Sequence, residues 1–78
     1  MTTNKIRIRT DELIASYEQI HKNGFRDDGT TYSYTKLSYI AREGYKIHKH
    51  IEADKEAYKR LIEYLDMKAD EDMVYVYY

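Results

Sequence analysis

The side chains best suited to chemistry at neutral pH are three histidines, His21, His48 and His50. Histidine is the residue whose ordinary titration range spans that pH. His48 and His50 are two residues apart. On a helix such a pair diverges, so it cannot close on one metal ion; on a strand it would share a face. No cysteine is present to complete a metal set. A nucleophile needs an adjacent base and an orienting group. The chain has no Gly-x-Ser-x-Gly elbow, no phosphate-binding loop and no glycine-rich cofactor turn. Its carboxylates fall in charge runs. The expectation is a non-catalytic chain with no metal and no cofactor.

Binding chemistry is better represented. Ten tyrosines accompany one phenylalanine and no tryptophan. Tyrosine buries a ring while its hydroxyl stays wet, which suits interfaces. Tyr32, Tyr34, Tyr39 and Tyr45 are interleaved with Lys36, Arg42 and Lys46. Aromatic anchors with a polar rim make a protein-binding hot spot, so Tyr32, Tyr34, Tyr39, Arg42, Tyr45 and Lys46 are the expected contact residues. Basic residues among aromatics also suit nucleic acid. For that alternative the expected readers are Lys5, Arg7, Arg9, Lys46 and Lys49.

Two short stretches bear on the alternative. Lys5-Ile-Arg-Ile-Arg9 followed by Thr10-Asp-Glu-Leu13 and a glycine stop resembles the start of a ribbon-helix-helix domain. That resemblance covers residues 5–24 and implies a dimeric DNA-binding regulator with Lys5, Arg7 and Arg9 as base readers. The family turns quickly into its second helix, whereas here residues 24–34 intervene. Leu37 to Ile51 looks loosely like a helix-turn-helix, with Ala41 at the helix contact, Gly44 at the turn and Ile51 as anchor. There the glycine follows the alanine by three residues instead of the usual four.

Positioning these groups requires the following elements. Alternation over 5–9 predicts a strand with Ile6 and Ile8 inward. Thr10 is read as the cap of a helix over 11–23, with Asp11 and Glu12 in its first turn and Gly24 as its stop. Asp28-Gly29 signals a turn. Thr35 is read as the cap of a helix over 35–43 that Gly44 ends. A helical pattern then covers 45–66, as one long helix or as two with a break near 53–54, and Glu56–Arg60 is an ordered pair on it. Val74-Tyr-Val-Tyr-Tyr78 predicts a strand over 73–78. A lone strand leaves its backbone unpaired, so the two terminal strands are expected to pair, with Arg7 and Arg9 meeting Tyr75 and Tyr77. The expected fold class is α+β, a two-stranded sheet covered by two to four helices.

Bulk properties set the frame. Seventy-eight residues make one domain, 1–78, with a thin core. Thirteen basic residues against 14 acidic ones exclude a strongly basic nucleic-acid binder and an acidic DNA mimic. The charges are segregated: residues 36–49 are basic and 63–72 acidic. The charged start lacks the apolar run of a secretory signal, and no stretch is apolar enough to span a bilayer, so a cytoplasmic location is expected. Small domains without disulfides gain stability by dimerising, and a homodimer is one expectation. The leading functional expectation is a protein-binding module acting on a larger partner. Its composition is similar to the small accessory, inhibitory and anti-defence proteins of bacteriophages and mobile elements. A third reading is self-association through the C-terminal strand.

Overall fold

Ile6, Thr10, Leu13 and Tyr17 recur at intervals of four, three and four residues, which puts them on one face of a helix. The computed structural model describes residues 2–24 and 31–76 and obeys that period. Helix α1 spans Thr2–Asn23, α2 Tyr34–His48 and α3 Glu52–Val76. No strand occurs among the described residues, so the chain is all-α and the α+β expectation is overturned. The Asp28-Gly29 turn lies outside the described residues.

Both expected strands are helical. Residues 5–9 open α1. An alternation only five residues long fits a helix equally well if one of its two isoleucines faces out. Ile8 does so at 53% exposure, while Ile6 is half-buried. Thr10 is no cap. It is buried inside α1, and its hydroxyl donates to the Ile6 carbonyl at 2.6 Å, which satisfies a polar group without ending the helix. At the other end Met73 to Val76 continue α3, and residues 77–78 lie outside the described residues. With 5–9 taken into α1, a strand there would have no partner for its backbone groups. The helix satisfies them locally.

The turns are closed by specific groups. Gly24 ends α1 with φ of 80°, the left-handed conformation that favours glycine, and its N–H donates to the Ile20 carbonyl at 2.7 Å. Ser33, not Thr35, caps α2: its backbone is extended and its hydroxyl accepts from the Lys36 N–H. Gly44 does not stop α2. A Cβ at this position would lie 2.6 Å from Cε1 of Tyr58, so glycine serves close approach of α3 here. The break between α2 and α3 falls at Lys49–Ile51, earlier than expected. Asp54 is therefore a residue of the first turn of α3, where with Glu52 it faces the positive helix end. Glu56 pairs with Lys59, at 3.6 Å, and not with Arg60.

The helices run up, down and up. His21 near the end of α1 stacks on Tyr34 at the start of α2. Ser38 and Arg42 reach Asp66, while His48 reaches Asp54, so α2 and α3 are antiparallel. Arg9 pairs with Asp54 and Tyr34 and Tyr64 both adjoin Glu18, so α1 runs parallel to α3. Between them lie Leu13 and Tyr17 of α1, Leu37 and Ala41 of α2, and Ala57, Tyr58, Leu61 and Leu65 of α3. Leu37, Leu61 and Leu65 are fully buried. Each such side chain stabilises the fold by about 1.5–3 kcal/mol relative to exposure.

Candidate functional site

Leu37, Ser38 and Ala41 turn one side of α2 into the bundle, which leaves the opposite side to solvent. That outer side and the neighbouring part of α3 form an open groove of about 920 Å³. Five cations line it: Lys36, Arg42, Lys46 and Lys49 from α2 and the turn after it, and Lys59 from α3. Tyr39, Ile40, Tyr45 and Ile62 supply its apolar lining, and Glu43 and Glu63 are its acids. Tyr39 is 66% exposed, an unusual position for a large aromatic ring. Four of the six expected protein-contact residues, Tyr39, Arg42, Tyr45 and Lys46, are therefore brought together.

Three of the groove's five cations are engaged in ion pairs, Lys59 with Glu56 at 3.6 Å. Arg42 donates to Asp66 at 2.8 Å, and Ser38 donates to the other oxygen of that carboxylate. Lys46 lies 3.5 Å from Glu43, an exposed pair of the kind that contributes about 0–1 kcal/mol. Lys36 and Lys49 make no ion pair among the described residues. Glu63 also lines an adjoining recess of about 510 Å³ with Asp66, Met67, Asp70 and Glu71. The basic groove thus borders an acidic hollow.

The remaining expected residues have other roles. The Tyr32 carbonyl accepts from Nδ1 of His21 at 2.7 Å, and Tyr32 lines a recess that shares Lys36 with the groove. Tyr34 stacks on His21 at 3.9 Å and donates its hydroxyl to Glu18. Both tyrosines hold the approach to α2 against α1. Arg9 clamps Asp54 at 3.0 Å across α1 and α3. Lys5 and Arg7 are exposed on α1. The nucleic-acid readers are hence dispersed: Lys5 and Arg7 stand on a helix, Arg9 is engaged, and only Lys46 and Lys49 line the groove. The ribbon has no extended segment to build it, and the helix-turn-helix has no turn at Gly44.

His48 stacks on Tyr58, with centroids 5.4 Å apart, and its Nδ1 lies 3.8 Å from Asp54. His50 is exposed in the turn, so the two histidines do not converge. Among the described residues no group of three or more His, Cys, Asp or Glu side chains could hold a metal ion. Burial pushes the Tyr17 hydroxyl up to about 12, with Tyr58 adding to the effect. Burial also raises Tyr58, with Arg9 opposing and Asp54 reinforcing, and raises Tyr64, where Glu18 adds to it.

Lys59, Ile62 and Glu63 were not among the expected contact residues. They come from a different helix, and only the pairing of α2 with α3 places them beside Tyr39 and Lys46. The chain is a three-helix bundle with a basic, aromatic-lined groove. No family model matches it, and no curated protein and no solved structure matches it. Among the described residues no helix is long and apolar enough to cross a membrane.

Proposed function

We propose that the chain is a non-catalytic protein-binding module, of accessory or inhibitory kind, whose groove takes an acidic segment bearing apolar side chains from a larger partner. One observation carries the reading: five cations surround exposed Tyr39 and the apolar lining of Ile40, Tyr45 and Ile62. Apolar anchors within a charged rim are how helix-in-groove recognition works. The cations would steer an acidic segment, and the rings would retain it. Nucleic acid is the competing occupant, favoured by Lys36, Lys46 and Lys49 in one place. It would draw its affinity from phosphate neutralisation and lose it steeply as salt rises.

The test is a chemical-shift titration of the labelled chain with three probes: an acidic amphipathic helical peptide, a random-sequence DNA duplex and a single strand. The expected result is saturable shifts around Tyr39, Tyr45 and Ile62 with the peptide, retained at physiological salt and lost in Lys46→Glu/Lys49→Glu. Shifts there with DNA alone, or with none of the probes, overturn the reading.

A further inference from the structure

We infer that the groove is covered at rest by a second copy of this chain, docked antiparallel through the same α2/α3 face. The inference rests on the groove being a docking surface, and it adds the device that regulates access to it. The face changes sign along its length. Its basic end carries Lys46, Lys49 and Lys59, with Glu43 and Glu56 in weak exposed pairs to the first and last, while Lys36 stands at the other end near the start of α2. Its acidic end carries Asp66, Asp70 and Glu71 around Met67, which is 49% exposed; Asp66 is paired with Arg42 and Glu71 lies 3.8 Å from Lys68 in an exposed pair of the weak kind. Glu63 lines both hollows and the Arg42–Asp66 pair bridges them, so the two ends are contiguous.

Two copies can dock face to face about a two-fold axis in two ways. With helices parallel, basic meets basic and acidic meets acidic, which is repulsive. With helices antiparallel, each acidic end meets the other copy's basic end, and the complementary contact is made twice. Such an isologous contact is self-complementary and closes at two. It also brings Met67 of each copy to the other's apolar lining, giving the charged rim a desolvated centre. A core with eight buried apolar side chains among the described residues gains from this extra burial. The acidic face of α3 has the chemistry proposed for the partner's segment, so the partner must displace the second copy to bind.

The test is molar mass by light scattering and sedimentation over a concentration series of the full chain. It is run with Lys46→Glu/Lys49→Glu/Lys59→Glu, with Asp70→Lys/Glu71→Lys, and with their equimolar mixture, each checked for helical content by circular dichroism. The expected result is a dimer whose mass does not grow further, association at least tenfold weaker in each variant alone, and recovery in the mixture. A monomer at every concentration, mass growing beyond two, or no recovery in a mixture of folded variants overturns the inference. The acidic peptide separates this from the groove reading, because Asp70→Lys/Glu71→Lys keeps the groove and frees it. A monomeric native chain that binds the peptide removes the dimer only. A freed groove that ignores the peptide removes the groove reading while leaving the dimer.

Discussion

Two corners of the bundle are closed by a histidine stacked on a tyrosine, and they use the ring differently. At the α1–α2 corner His21 lies 3.9 Å from Tyr34 and donates from Nδ1 to the Tyr32 carbonyl at 2.7 Å. A carbonyl only accepts, so this bond fixes the proton on Nδ1 in either charge state. At the α2–α3 corner His48 is parallel to Tyr58 at 5.4 Å, and its nearest carboxylate oxygen is 3.8 Å away on Asp54. That distance is too long for a hydrogen bond. The first corner is held by a directed bond. The second is held by ring packing, by the Arg9–Asp54 clamp and by the closeness of Tyr58 to Gly44. The comparison teaches that a corner preceded by ten residues between helices needs a hydrogen bond to fix its entry. The three-residue turn is fixed by packing together with the Arg9–Asp54 ion pair and the Ile51 N–H bond to the His48 carbonyl at 3.1 Å.

The largest effect is expected where packing is tightest. Gly44→Val adds a branched side chain where even a Cβ would fall 2.6 Å from a buried ring. The expected cost is about 2 kcal/mol in urea melts, since overpacking exceeds the small helix-propensity gain over glycine. Adding Tyr58→Leu should recover part of it. A variant as stable as the native chain would show that the second corner is not packing-limited. Next comes His21→Phe, which keeps a stacked ring but removes the donor and leaves the Tyr32 carbonyl without it. A loss of about 1–2 kcal/mol is expected, together with faster amide exchange over residues 31–33. The matching His48→Phe should change stability by no more than about 0.5 kcal/mol, because the stack survives and only a long contact to Asp54 is lost. Equal costs for the two histidine variants would erase the distinction between the corners.

The same contrast explains what was legible in the sequence. The 11–23 helix and its Gly24 stop were readable because local signals and tertiary structure agree there. The extension of α1 back to Thr2 was not, because five alternating residues carry no period that excludes a helix. Gly44 misled as a stop signal because its purpose is contact with Tyr58, fourteen positions away and on another helix. The β-propensity of Val74 to Tyr78 is intrinsic, and the missing ingredient was a partner strand, which the helical 5–9 segment withdrew. That Tyr39, Arg42, Tyr45 and Lys46 lie together was legible because they share α2. Their α3 complement was not, since nothing local links Lys59 and Ile62 to them. Tyr32 and Tyr34 are partly buried because the Tyr32 carbonyl accepts from His21 and the Tyr34 ring stacks on His21 and donates to Glu18.

The smallest effect at neutral pH concerns Tyr17, a core residue of α1 coupled electrostatically to Tyr58. Its hydroxyl is pushed from the ordinary 10.0 up to about 12 by burial, with Tyr58 contributing. Tyr58 is raised by the same burial, yet Arg9 beside it partly supports the charged form. The raised value means that the folded chain keeps its proton where the unfolded chain has lost it. The stability associated with that proton is fully present below the unfolded value and declines as pH rises from 10.0 through about 12. Tyr17→Phe cannot ionise. It should match the native chain closely at neutral pH and show a shallower loss of urea midpoint across the alkaline window. If both chains lose stability in parallel there, Tyr58 and Tyr64 account for the alkaline transition and Tyr17 does not.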